Sequence, residues 1–365
     1  MTTLNHMLAA LLLAALAPAQ ALAQAAPASP SAAAKPAPSA PAVPAALTQP
    51  AVITAKSASA AMLAVARAGK RLVAVGERGI VLLSDDQGAT WRQAPTPVQV
   101  SLTAVQFVNE RSGWAVGHLG VVLHSADGGN SWTKQLDGIE AAELAVHAAA
   151  TPQERSAAGH LRADGPDKPF LDLYFQDERS GYILGAYNLL YRTTDGGKSW
   201  QPWQARVPNP KSLHLYGMRA AGDALYVAGE QGSLFRSRDG GASFEALASP
   251  YKGSYFGLVA ARGGELVVFG LRGTAYWSGD RGDTWQQIDT GTQQTLSAGV
   301  ALADGRLALL SQGGDVLLSD DAGRTFTRQP NPQPTPAAAL VQADEQHLIV
   351  AGLRGLKRQP LLETN

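Results

Sequence analysis

Six aspartates recur in one setting. Asp86, Asp127, Asp195, Asp239, Asp280 and Asp321 each stand in the string Ser/Thr-x-Asp-x-Gly-x-Ser/Thr-Trp/Phe, as at Ser84–Trp91 and Ser125–Trp132. A carboxylate in a glycine turn can hold a cation or handle a proton, but the alternating carboxylates and closing Glu of a calcium loop are missing. The pattern suits structural chemistry instead. The Asp accepts hydrogen bonds from its own turn, the Gly takes a left-handed backbone, and the aromatic residue enters apolar space. A second set is cationic: Arg78, Arg272 and Arg354 each precede the second Gly of a Gly-x-Arg-Gly turn. Leu119, Tyr187, Gln231 and Gly313 hold the corresponding places elsewhere, with His118 beside Leu119. Guanidinium groups gathered at one repeat position can grip carboxylates.

Other strings fall away in their surroundings. His118 and His124 have no third ligand nearby in sequence, so no metal site is expected. Arg281-Gly282-Asp283 lies inside one of the six boxes and reads as a turn. Gly196-Gly197-Lys198-Ser199 echoes a phosphate loop, yet Arg192 stands where its first glycine belongs. No Gly-x-Ser-x-Gly elbow occurs. The chain has no cysteine, which excludes thiol nucleophiles, Cys-ligated zinc, iron–sulfur clusters and disulfides. No cofactor is expected. Thirty Lys+Arg balance thirty Asp+Glu, so no global field would gather nucleic acid or an anionic membrane.

The elements that must position these residues follow from the spacing. Successive box aspartates lie 41, 68, 44, 41 and 41 residues apart, a period of 41 with one insertion of 27. Within one period, Leu72–Val75 and Ile80–Leu83 read as strands joined by a glycine turn, and the box is the next turn. Stretches such as Leu102–Val108 supply an inner strand, giving four strands per unit. Units of this kind stack radially as propeller blades. Residues 51–365, less the 27- and 3-residue excesses, leave 285, close to seven units. The expected fold is all-β: a seven-bladed β-propeller with one partly helical insertion at about 137–169. Ala51–Ala55 is expected to supply the outer strand of the last blade, which has no box of its own. Within the insertion, Ile139–Ala150 reads as a helix ended by Thr151-Pro152, and a Gly- and Asp-rich segment follows.

The N-terminus has a separate character. Met7–Ala17 is an apolar run too short for a bilayer, and Ala21-Leu22-Ala23 offers small residues to a signal peptidase, so 1–23 reads as a signal peptide. Residues 24–50 form an Ala/Pro-rich linker, and 51–365 form the propeller. The mature protein is expected to be exported to the periplasm without a membrane span, as a monomer.

The box resembles the Asp-box (BNR) repeat of sialidases. The fuller string at Val116–Trp132, Val-Gly-x-x-Gly-x-x-Leu-x-Ser-x-Asp-Gly-Gly-x-Ser-Trp, resembles the Ycf48/Hcf136-like proteins. The resemblance covers nearly all of 51–365. It implies a seven-bladed propeller that assists photosystem II assembly in thylakoid lumens, with exported bacterial relatives in cells lacking photosystems. The Asp-box is structural in both families and carries fold rather than activity. The leading expectation is an exported, non-catalytic scaffold that binds a protein partner, a subunit of a membrane complex, through Arg78, His118, Tyr187, Arg272 and Arg354. The alternative is a sialidase-like glycoside hydrolase, which needs an arginine cluster and a Tyr nucleophile, or a glycan-binding propeller. The Phe/Tyr-Arg-Ile-Pro string of sialidases is absent.

Overall fold

In every blade, short apolar runs alternate with glycine turns, so the chain can only pair with itself as a series of antiparallel hairpins. The computed structural model describes residues 43–362. The proposed signal peptide and most of the linker lie outside the described residues. Six four-stranded antiparallel sheets and one three-stranded sheet follow one another along the chain. Blade one is Met62–Ala68, Arg71–Gly76, Val81–Ser84 and Arg92–Ala94, and the last blade is Ala337–Asp344, His347–Gly352 and Gly355–Pro360. Innermost strands of neighbouring blades adjoin all the way round, the last against the first. The seven-bladed propeller is therefore present.

The core is distributed between the blades rather than within one sheet. Seven apolar clusters fill the seven junctions. Each strand sends alternate side chains to either neighbour, as Leu72 and Ala74 pack toward the last blade while Val73 and Val75 pack toward blade two. The box aromatics sit in these junctions, where Trp132 is 6 % exposed.

The boxes close as the sequence implied. Asp86 Oδ1 accepts from the Thr90 amide at 2.9 Å and the Ser84 hydroxyl at 2.8 Å, while Oδ2 accepts from the Thr90 hydroxyl at 2.5 Å. The Ser84 hydroxyl in turn accepts the Gly88 amide at 2.8 Å. The same bonds recur at Asp127, Asp195, Asp239, Asp280 and Asp321. Donors aimed at the ionised form favour it. The Thr90 hydroxyl, the Thr90 amide and the Ser84 hydroxyl hold Asp86 at about 2, and the Ser243 hydroxyl and amide with the Ser237 hydroxyl do the same for Asp239. Asp195 also reaches about 2, against a desolvation that opposes it.

A group held low in the folded state contributes stability above its unfolded value of about 3.9 and loses that contribution as pH falls through its folded value. The thermal midpoint is therefore expected to stay level from neutral pH to about 5 and to fall steeply between about 4 and about 2. Circular dichroism melts at stepped pH read this directly. A midpoint that already declines near pH 6, or one unchanged at pH 2, contradicts it.

Two expectations are corrected. Ala51–Ala55 does not complete the last blade. It lies along blade one, where the Ala51 amide donates to the Thr96 carbonyl at 3.0 Å and the Thr54 amide to Gln93 Oε1 at 3.0 Å. Leu47, 2 % exposed, anchors this segment in the blade one–two junction, and Val52 and Ile53 stay 67 % and 60 % exposed, so neither side chain packs against the last blade. The insertion holds two helices, α1 (Gly138–Ala148) and α2 (Pro152–Asp164), where one was expected. Asp137 and Thr151 each form a capping box with the Glu three residues on, and Pro152 opens the first turn of α2.

Candidate functional site

In each of the first six blades the turn joining the second and third strands lies opposite the box turn. The insertion joins this face: Gly120 of the blade-two turn comes so close to Gly138 of α1 that a Cβ on Gly120 would lie 2.6 Å from the Gly138 Cα. The Gly-x-x-Gly turn therefore positions both its own central residue and the start of the insert.

These turns hold their central residues in an unusual backbone. Arg78, Leu119, Tyr187, Gln231 and Arg272 all adopt positive φ, between 52° and 55°. The left-handed region costs an L-residue about 1 kcal/mol; Arg78, Tyr187, Gln231 and Arg272 are exposed at these equivalent places, whereas Leu119 is partly buried against the blade one–two core. Arg354 shares their sequence position but not this conformation. Leu353-Arg354 is a two-residue hairpin between Gly352 and Gly355, one residue tighter than the other turns.

Arg78, Arg272 and Arg354 are exposed and form no ion pair among the described residues. The nearby turn carboxylates are engaged elsewhere: Glu77 accepts the Ala61 amide at 3.1 Å and Glu230 the His214 amide at 3.2 Å. The guanidinium groups are thus left to solvent or to a ligand. His118 is also exposed, but it occupies the first place after the glycine, where its amide donates to the Ser101 carbonyl at 2.9 Å; Leu119 holds the place equivalent to Arg78.

Tyr187, 60 % exposed, is joined by His214 and Lys168, which sequence reasoning did not gather. Its amide donates to His214 Nδ1 at 3.1 Å and its ring meets the His214 ring edge-on at 4.7 Å. Lys168, at the end of the insertion, stands 5.7 Å from the Tyr187 ring centroid. From His214 the aromatic file continues to Tyr216 at 6.1 Å and Phe256 at 5.1 Å, both lining the central channel of about 210 Å³. Inside the channel Arg219 Nη1 meets Asp172 Oδ2 at 2.6 Å, which also accepts the Met218 amide at 2.9 Å. Lys168 and His214 are remote from Tyr187 in sequence, and only the insertion and the blade three–four junction bring them to it. The six box aspartates lie on the other face.

This face presents three exposed guanidinium groups and an exposed tyrosine. Among the described residues no cluster of three or more His, Asp or Glu could hold a metal ion. No described helix is long and apolar enough to cross a membrane.

A family model described as "Photosynthesis system II assembly factor YCF48" matches residues 58–140 and 161–317. Over 77 residues the chain is 30 % identical to a photosystem II assembly lipoprotein Ycf48 of Synechococcus sp. (strain CC9902), a stretch spanning 21 % of this chain and 23 % of that relative. Among solved structures, one described as YCF48 bound to D1 peptide superposes with a TM-score of 0.63 at 16 % identity, covering 86 % of this chain and 96 % of that one. YCF48 from Cyanidioschyzon merolae gives 0.60 at 15 % identity, covering 82 % and 95 %. At these identities the two structures bear on fold alone.

Proposed function

The chain belongs to the photosystem II assembly factor YCF48 family, and from that membership we propose that it is an exported, non-catalytic scaffold that grips a protein segment of a membrane-complex subunit on its Gly-x-x-Gly face. The observation that carries this reading is the set of exposed, unpaired guanidinium groups of Arg78, Arg272 and Arg354, with the exposed Tyr187 at the equivalent turn position of blade three. Arg and Tyr are the side chains that interfaces favour, because each couples a broad contact area to directional hydrogen bonds. The related YCF48 that was solved with a D1 peptide supports a peptide as the ligand class. Where the cell has a photosystem, the client is a photosystem II subunit in the lumen; elsewhere it is another envelope complex in the periplasm. Arg78, Arg272 and Arg354 supply charge to a carboxylate, Tyr187 a flat contact, and His118 a polar rim. The protein acts as a monomer and binds no nucleic acid.

The test is capture of the tagged mature protein from cross-linked envelopes of its own organism. Enrichment of a membrane-complex subunit is expected, and recovery of background proteins alone from folded bait overturns the reading. The same protein is expected to release no fluorophore from a fluorogenic sialoside above a boiled control and to bind no spot on a glycan array. Turnover would establish a hydrolase and array binding a lectin.

A further inference from the structure

The last blade differs from the other six in one junction. In blades one to six the box aromatic, Trp91, Trp132, Trp200, Phe244, Trp285 or Phe326, packs between its own blade and the preceding one. The junction between blades six and seven holds only aliphatic side chains, among them Val316, Leu348 and Leu361. Those three line a groove of about 260 Å³, walled by the Gln329–Gln333 connection and the third strand of blade seven.

That third strand, Gly355–Pro360, has no strand on its outer side among the described residues. Gly352 and Gly355 close a two-residue hairpin, so they form a hydrogen-bonded pair, and the unbroken register makes Lys357 and Gln359 the next such residues. The amides of Leu356 and Arg358, and the carbonyls of Leu356, Arg358 and Pro360, therefore point off the sheet. Fourth strands elsewhere in the ring are two to four residues long, which matches this short row of groups. Lys357 pairs with Val350 and faces blade six, where the equivalent residues of other blades are large and apolar, such as Leu82, Tyr191 and Phe235. Its amine donates to the Gln333 carbonyl at 2.7 Å, on the wall of the groove.

We propose that this edge accepts an extended segment of a partner protein carrying an aromatic residue with a carboxylate two positions later. The added strand pairs with Leu356 and Arg358, as the fourth strand does in the complete blades. Its aromatic side chain, opposite Gln359, enters the groove beside Leu348 and Leu361. The register then sets the carboxylate opposite Lys357. Residues 1–42 contain no Phe, Trp or Tyr to play this part. A second copy is a poor donor, because its box aromatics already fill its own junctions, and pairing two such edges would set Lys357 and Arg358 against their own kind. The site is separate from the Gly-x-x-Gly face and stands or falls independently of it.

The probe is the peptide acetyl-Ser-Thr-Trp-Thr-Glu-Val-amide, added to the 365-residue chain and followed by hydrogen exchange of 355–360. Saturable slowing of exchange there is expected, with at least tenfold weaker binding when the peptide Trp becomes Ala. Lys357→Glu should weaken binding at least tenfold, and a peptide with Lys in place of Glu should restore it. Arg358→Pro removes one outward amide while leaving the pairing to His347–Gly352 intact, so it should abolish the slowing, whereas Arg358→Ala, which controls for the lost Asp344 pair, should not. The proposal is overturned if the peptide slows no exchange in 355–360, or if that strand is already as protected in the free chain as Val316–Ser319. It is equally overturned if protection rises with protein concentration alongside a dimer mass in light scattering.

Discussion

Alanine at Gly273 is expected to destabilise the folded protein by about 3 kcal/mol or more, read as a lower denaturation midpoint in urea. Gly273 closes a Gly-x-x-Gly turn at φ 71°, and a Cβ there would lie 1.9 Å from the Thr292 carbonyl oxygen. Two costs add: the left-handed backbone disfavours any side chain, and the clash is with backbone of the segment leading into the next blade, which cannot step aside without moving that blade. The neighbouring Arg272 provides the control. It sits at φ 55° with its side chain outward, so Arg272→Gly relieves backbone strain while adding freedom to the unfolded chain. The two nearly cancel, to within about 1 kcal/mol. A Gly273→Ala protein as stable as the parent would mean that the turn and the adjoining connection are not rigidly docked.

The triple variant Arg78→Glu, Arg272→Glu, Arg354→Glu should leave the melting temperature within a few degrees of the parent and weaken partner binding by about 100-fold or more. The stability expectation follows from exposure, because none of the three donates to any described residue that would be left buried and unpaired. The binding expectation follows from replacing attraction to a carboxylate by repulsion at three places. Binding by the parent should also weaken with added salt, since exposed charges are screened over about 8 Å at physiological ionic strength. Titration of the captured subunit's soluble segment against both proteins gives the ratio. A variant that binds as tightly as the parent would remove the arginines from the interface and leave Tyr187 and its neighbours to account for it. Single variants separate Arg354 from the other two, since its tighter hairpin aims the side chain from a different backbone.

The repeat was legible because its chemistry is local. The Ser84, Asp86, Gly88 and Thr90 bonds form within seven residues, so a sequence that repeats these residue types must repeat the turn, and its period sets the blade. Helix α1 was legible for the same reason. Helix α2 carried a readable start in Thr151-Pro152-Gln153-Glu154, but its polar surface buries only Ala158, which left no apolar stripe to draw attention. The arginines were legible as a set, while the departure of Arg354 from the shared backbone was not, because one residue fewer in a turn leaves no mark in a Gly-x-x-Gly string.

Local bonding therefore established the blade and its boxes, and the repeat length the number seven. Long-range packing was needed for the rest. Where Ala51–Ala55 lies depends on Leu47 finding the blade one–two junction, a competition among edges that no local pattern encodes. Lys168 and His214 meet Tyr187 only after separate segments have folded against blade three. The uncovered strand of the last blade is likewise a property of the closed ring, since a strand edge is open or paired only in relation to everything that could reach it.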